Sequence, residues 1–134
     1  MKNTYSEIKR KMQTLQCKIE FENEENKAFV VSNDKLGIEN LVVAVKNNEL
    51  IMEQCIHSAW EHGSRPLKEF AGKQLQMSRG VLLVEPVNCK MYYQDCIALP
   101  IEGKTEIENS LNALSELLTQ ELELTYSNDK NLVA

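Results

Sequence analysis

Three residues with chemically active side chains lie close together near the middle of the chain: Cys55, His57 and His62. On a β-strand, Cys55 and His57 would point to the same side, because side chains two residues apart share a face. A thiolate could then meet an imidazole, or both groups could bind a soft metal ion. A zinc site needs further ligands, and the chain has no CxxC or HxxxH spacing. We therefore predict structural or solvent-facing roles and no metal site, with a metal or nucleophilic site as the alternative.

The four cysteines, Cys17, Cys55, Cys89 and Cys96, are widely spaced along the chain. Cys89 and Cys96 could face each other across a strand pair and form a disulfide, but without an export signal we expect reduced thiols that behave as small buried apolar groups. No phosphate-binding glycine loop, GxSxG or HExxH motif occurs. We predict no catalytic residue, no cofactor and no enzymatic activity. The alternative is a redox sensor or small enzyme built on Cys55 and His57.

Length and charge limit the possible classes of protein. The 134 residues carry a formal net charge of -5 and a pI near 5.1. We predict one domain over 1–126 and a polar, disordered tail over 127–134. Nucleic-acid binding needs a clustered basic surface, which this acidic chain lacks. No apolar run is long enough to span a membrane and no apolar signal segment begins the chain, so we place the protein in the cytoplasm.

The spacing of apolar residues predicts an α+β fold. Thr4 and Glu7 form a capping box for a first helix, and Thr105 and Glu108 form another for a long C-terminal helix. Period-two or continuous apolar runs predict an antiparallel sheet of five to six strands, and Asn47-Asn48 suits a two-residue hairpin turn. A middle helix opens at Ser64 and stops at Gly80. The predicted order is α-β-β-β(-β)-α-β-β-α.

Two apolar patterns are candidates for core or for a binding surface. Cys17, Ile19 and Phe21 alternate with charged residues, which predicts a strand with its apolar side chains on one face. Met52, Ile56 and Trp60 form a second apolar stripe, for which core is favoured because large exposed patches are rare. An uncovered outer sheet face would reverse that preference. The leucine stripe of the C-terminal helix is most simply packed on the domain's own sheet.

The order of elements, the size and the acidity resemble the class I type III secretion chaperone fold of bacteria, which YbjN-type regulators share. The similarity covers about Tyr5 to Tyr126. The most informative stretch is Ala98-Leu99-Pro100-Ile101 followed by a capped helix. The other stretches that carry the resemblance are Ile19-Glu20-Phe21, Ala28-Phe29-Val30-Val31, Leu41-Val42-Val43-Ala44-Val45, Leu50-Ile51-Met52, Pro66-Leu67-Lys68-Glu69-Phe70, Val81-Leu82-Leu83-Val84 and Cys96-Ile97-Ala98-Leu99-Pro100.

The resemblance implies a non-enzymatic homodimer that holds an unfolded segment of a client protein. The client segment would fill apolar grooves and in some cases add a strand to a sheet edge. The candidate client contacts are Ile19, Phe21, Met52 and Trp60, and the candidate dimer contacts are Leu67, Phe70 and Leu75 of the middle helix. A regulatory role without a secretion client is a further alternative, since YbjN-like proteins share the fold.

Overall fold

The computed structural model of the chain describes the backbone of residues 4–58, 79–85 and 90–133, with their side chains except at 57–58, 84–85 and 120–133. These residues form α-helices, a short 3₁₀ helix and one antiparallel sheet. In chain order the elements are α1 (Thr4–Thr14), β1 (Lys18–Asn23), β2 (Ala28–Asn33), the 3₁₀ helix (Asp34–Leu36), β3 (Ile38–Lys46), β4 (Glu49–Ser58), β5 (Val81–Glu85), β6 (Lys90–Ala98) and α2 (Thr105–Val133). The predicted α+β class is confirmed.

The sheet formed by the described residues has six strands in the order β1-β2-β3-β4-β6-β5, and every neighbouring pair is antiparallel. Asn47 and Asn48 join β3 to β4 with positive φ angles of 52° and 62°. Two-residue hairpin turns of this kind need positive φ at both positions, which asparagine tolerates. The predicted hairpin is therefore present, and β1 and β5 are the outermost strands.

One face of the sheet carries the core. The alternating residues of its four central strands are almost fully buried against α1 and α2, because a half-apolar sheet must cover its apolar side. The main contributors from the sheet are Phe29, Val31, Leu41, Val43, Leu50, Met52, Met91, Tyr93 and Ile97, and from the helices Tyr5, Ile8, Met12, Ile107, Leu111, Leu114 and Leu117. We call this the helix face and the opposite side of the sheet the outer face.

The C-terminal helix packs on the domain's own sheet, as its stripe predicted, with Ile107, Leu111, Leu114 and Leu117 buried. Ser115 also donates a hydrogen bond of 2.7 Å from its Oγ to the Leu36 carbonyl. The helix continues to Val133, so the backbone of 127–133 is helical where we predicted a disordered tail. The division of the chain after residue 126 stays a prediction.

The predicted middle helix, with Leu67, Phe70 and Leu75, lies outside the described residues. Trp60, His62 and Cys89 lie outside them as well.

Candidate partner-binding surface

The large apolar side chains that remain exposed among the described residues all lie on the outer face. Phe21 is 65% exposed, Val81 51%, Val42 44% and Leu83 42%. The strand register shows which residues share this face. At the β1 end of the sheet, Phe21 pairs with Val30 and Val30 with Val42. At the β5 end, Val81 pairs with Gln94 and Leu83 with Tyr92. Directly paired residues project from the same side of a sheet. Exposed apolar side chains on one face mark an interaction surface more strongly than scattered ones do.

The outer face divides into two apolar patches. Glu53 and Gln94 pair across β4 and β6, and the Gln94 Nε2 donates a hydrogen bond of 3.0 Å to the Glu53 Oε2. This polar pair separates a first patch, formed by Phe21, Val30 and Val42, from a second. We call the first the β1 patch and the second, formed by Val81 and Leu83, the β5 patch. Each patch adjoins one edge of the sheet.

A β-bulge in β1 directs Phe21 to the outer face. Ile19 pairs with Val31 of the helix face, whereas Phe21 pairs with Val30 of the outer face, so Glu20 is the extra residue between them. A bulge of this kind shifts the alternation of side chains by one position. The prediction that Ile19 and Phe21 share one face is therefore wrong: Ile19 packs half-buried against the core and Phe21 points away from it.

The outer side of β1 is a sheet edge. β1 is terminal in the strand order and pairs with β2 alone among the described strands. The outward backbone N–H and C=O groups of such a strand are available to pair with another extended chain. Phe21 thus stands where an apolar patch meets an available backbone edge.

A cluster of polar side chains ties β1 to α1. Glu22 pairs with Phe29 on the helix face, directly after Phe21. Its Oε2 accepts a hydrogen bond of 2.5 Å from the Tyr5 hydroxyl, and both carboxylate oxygens lie 2.8 Å from the Lys9 Nζ. The hydrogen bonds from Lys9 and Tyr5 hold the pKa of Glu22 below its usual value. Burial, and then the hydrogen bond to Glu22, raise the pKa of Tyr5.

Several polar side chains form a contact network at the start of β5. The Arg79 Nε lies 2.6 Å from the Asp95 Oδ2, and the Tyr93 hydroxyl lies 3.3 Å from the Ser110 Oγ and 3.4 Å from the same Asp95 oxygen. Burial, reinforced by the Asp95 charge, raises the pKa of Tyr93 to about 12, so this phenol is neutral at ordinary pH. Gly80 has φ +84°, and a Cβ there would lie 2.5 Å from the Tyr93 ring. The absence of a side chain at Gly80 therefore lets the chain pass close to Tyr93 of β6 just before β5, the strand that carries the β5 patch.

The predicted contact residues are distributed between core and surface. Met52 is 1% exposed and lies between the sheet and the helices, so it is part of the core. Ile56 is buried as well, which confirms the core interpretation for this part of the stripe. Among the described candidates Ile19, Phe21 and Met52, Phe21 is the one with a largely exposed side chain.

A β-bulge on β4 separates Cys55 from His57. Cys55 pairs with Tyr92 and His57 with Met91, which are neighbours on β6, so β4 also contains a bulge between the two residues. The simple two-residue spacing that predicted a shared face does not apply. Among residues 4–58, 79–85 and 90–133, no three His, Cys, Asp or Glu side chains are grouped closely enough to bind a metal ion.

The described cysteines have different environments. Cys17 is buried as a free thiol, and burial raises its pKa. Cys55 and Cys96 are both exposed on the outer face, where we had predicted buried positions. Cys96 is also a free thiol, and burial together with the nearby charges of Glu49 and Asp95 raises its pKa. A high pKa keeps a thiol protonated and weakly nucleophilic at neutral pH.

Four residues at the surface or at the sheet edge are not among the predicted client contacts: Val42, Val81, Leu83 and Glu22. The continuous run from Leu41 to Val45 contained a signal for Val42, because apolar residues at every position give the strand two apolar faces. That run predicts a strand in the middle of the sheet, which β3 is, but it does not tell which of its faces stays exposed. None of the helices in the described part of the chain is long and apolar enough to cross a membrane.

Comparison with known proteins identifies the class and then the family. A chain in the solved structure of the HopA1–SchA chaperone–effector complex has the same α+β fold, with a TM-score of 0.61 at 11% sequence identity, over 90% of this chain and 95% of that chain. The family model CesT_Tir_1 matches residues 1–129. The chain belongs to this family of type III secretion chaperones, which confirms the resemblance. Among curated proteins, no sequence matches it.

The raised pKa of Cys96 gives a pH-dependent prediction. Its alkylation by iodoacetamide should be slower at pH 7 than that of an unstructured peptide thiol, and the rate should keep rising above pH 9.0, the ordinary thiol pKa, because only the thiolate reacts. Peptide mass spectrometry after timed alkylation reads each cysteine separately. Buried Cys17 is the internal control and should react only on unfolding. A Cys96 rate that reaches its plateau near neutral pH would contradict this prediction.

Proposed function

We propose that this protein is a cytoplasmic, non-enzymatic secretion chaperone that holds an extended segment of a client protein. The observation that carries the proposal is the family match over residues 1–129. The apolar outer face supports it, because a chaperone needs apolar surface that its own fold leaves exposed. The HopA1–SchA structure, whose chain shares this fold, is a chaperone–effector complex, which supports a protein client here as well.

The β1 edge and the β1 patch together suit an extended chain. A strand-like segment placed beside β1 can pair with the outward N–H and C=O groups, which aligns it without regard to sequence. Alternate side chains of that segment then project toward the outer face. Phe21, at 65% exposure, is the first side chain that they meet, followed by Val30 and Val42 on the next two strands.

Phe21 is therefore the proposed anchor, with Ile19 contributing its accessible part. Aromatic residues that become buried at the centre of an interface commonly carry much of the binding energy. Trp60 remains a proposed contact. Met52 contributes by supporting the sheet from the helix face rather than by touching a client.

Replacing Phe21 tests the client surface. The client is first identified by cross-linking in the source cell, and its protease-resistant segment in the complex is made as a labelled peptide. Phe21→Asp should weaken binding of that peptide by about thirtyfold or more, as expected for loss of an anchor residue. The free energy of unfolding should change by less than about 0.5 kcal/mol, because the side chain is exposed. Fluorescence anisotropy and urea denaturation measure the two quantities.

Two further variants make the result specific. Phe21→Leu keeps an apolar side chain and should retain most of the affinity. Gln13→Asp adds the same charge at an exposed position of α1 and should bind as the unaltered chain does. Unchanged affinity in Phe21→Asp, or equal losses in Phe21→Asp and Gln13→Asp, would contradict the proposed surface.

We also propose that the protein is a homodimer that uses the opposite end of the sheet. The β5 patch lies at the other edge and directly follows in sequence the segment that contains Leu67, Phe70 and Leu75. Two-fold interfaces bring the same patch of both copies together, and exposed Val81 and Leu83 provide apolar surface for such a contact.

Light scattering tests the dimer. The unaltered chain should have twice the 15.3 kDa mass of one protomer, and Leu83→Asp should shift it toward the single mass. Phe21→Asp is the matched control, since it places the same charge on the patch at the other edge, and it should remain dimeric. A mass of one protomer for the unaltered chain at all concentrations would contradict the proposal.

A further inference from the structure

The first strand has two possible registers with β2. Its sequence alternates regularly from Cys17 through Ile19 to Phe21, so an unbulged strand would place all three apolar side chains on the helix face. Continuing the pairing of Ile19 with Val31 without a bulge would set Phe21 opposite Phe29. In the structure Glu22 occupies that position and Phe21 lies one step earlier, opposite Val30.

The choice between these registers is not explained by apolar burial. The bulged register leaves Phe21 65% exposed, whereas the unbulged register would bring it next to the core residue Phe29. A strand next to a buried face normally adopts the register that covers its apolar side chains. An interaction specific to the bulged register must therefore offset the exposure of Phe21.

That interaction is the cluster of Glu22, Tyr5 and Lys9, which we call the Glu22 latch. Only the bulged register places the Glu22 side chain on the helix face, where its carboxylate meets the Tyr5 hydroxyl and the Lys9 ammonium. The Tyr5 ring is itself held in place by an edge contact with Phe29, with ring centroids 5.7 Å apart and an interplanar angle of 71°. Hydrogen bonds to a charged group are stronger than neutral ones and depend closely on geometry.

We propose that Glu22 is a positioning residue that holds β1 in its bulged register and so keeps Phe21 on the outer face. Release of the latch lets β1 slip by one residue, which turns Phe21 to the helix face and Glu22 to the outer face. In the slipped state the β1 patch loses its most exposed side chain. The strand thus has a state that displays Phe21 and a state that hides it.

The effect of the slip on client affinity follows only if the proposed function holds. If Phe21 anchors the client, the latched register is the binding state, and a partner that pulls Lys9 or Tyr5 away from Glu22 lowers affinity without touching the client surface. The hydrogen bond of 2.7 Å from the Ser32 hydroxyl to the Glu20 Oε1 also lies in the bulge, but on the outer face. It connects β1 to β2 only, so it offers a control for the loss of a hydrogen bond that is not part of the latch.

Fluorine NMR of the free chain labelled with 4-fluorophenylalanine tests the slip without any client. The chain has three phenylalanines, and a Phe21→Leu sample assigns the Phe21 signal. The unaltered chain should give one Phe21 signal with a large shift on transfer from H₂O to D₂O, as an exposed ring does. In Tyr5→Phe/Lys9→Met, which removes both latch donors, a second Phe21 signal with little solvent dependence should appear and rise at least tenfold in population.

Matched variants complete the test. Ser32→Ala should keep the single exposed signal, and Lys9→Met alone, which keeps the Tyr5 donor, should give a smaller hidden population than the double variant. The buried Phe29 ring reports folding in each sample. A folded double variant with one exposed Phe21 signal would overturn the proposal, as would an unfolded double variant together with an unchanged signal in Lys9→Met. Neither result depends on the Phe21→Asp binding experiment, so the proposal of the latch and the proposal of the client surface can be contradicted independently.

Discussion

The helix face of the sheet is buried beneath α1 and α2, and this packing determines which side chains are left on the outer face. The central strands supply apolar side chains to that face, and both described helices cover it with stripes of matching spacing. β3 is apolar at every position from Leu41 to Val45, so the same packing leaves apolar side chains on the outer face. Val42 is 44% exposed, so its complete burial by a partner would contribute about 1 kcal/mol. The surface available for binding is thus a direct consequence of how the core is built.

The edge strand β1 provides backbone groups along one side of this surface, with which an extended chain can pair. An edge with a regular backbone would pair with any extended chain, and proteins often interrupt such edges with bulges. β1 has a bulge at Glu20, and the same bulge brings Phe21 to the outer face. One local irregularity therefore places the side chain proposed as the client anchor beside the sheet edge. Glu22 connects that irregularity to α1 through its hydrogen bond with Tyr5, a residue seventeen positions away.

Much of the fold could be predicted from the sequence because its signals are local. Two capping boxes mark the helices, paired asparagines mark the β3–β4 turn, and the leucine stripe of α2 predicts its packing on the sheet. The core role of Ile56 followed from its apolar stripe, whereas the surface position of Val42 did not, because an unbroken apolar run does not tell which face stays uncovered.

The two bulges could not be predicted, for a physical reason. The alternation through Ile19 and Phe21 is regular, and so is the spacing of Cys55 and His57, yet pairing with β2 and β6 shifts both strands. Such a shift depends on the strands that pair with β1 and β4 and on contacts with other elements, which the spacing within one strand does not report. Single-strand patterns report the spacing of side chains but not the contacts that decide between registers.

Hydrogen–deuterium exchange of the client complex tests the proposal that a client segment lies along β1. Client binding should slow exchange of the outward-pointing amides within residues 18–23, while exchange in α1 and at the β3–β4 turn stays as in the free chain. Slowed exchange confined to α1 and α2, with β1 unchanged in the complex, would contradict it.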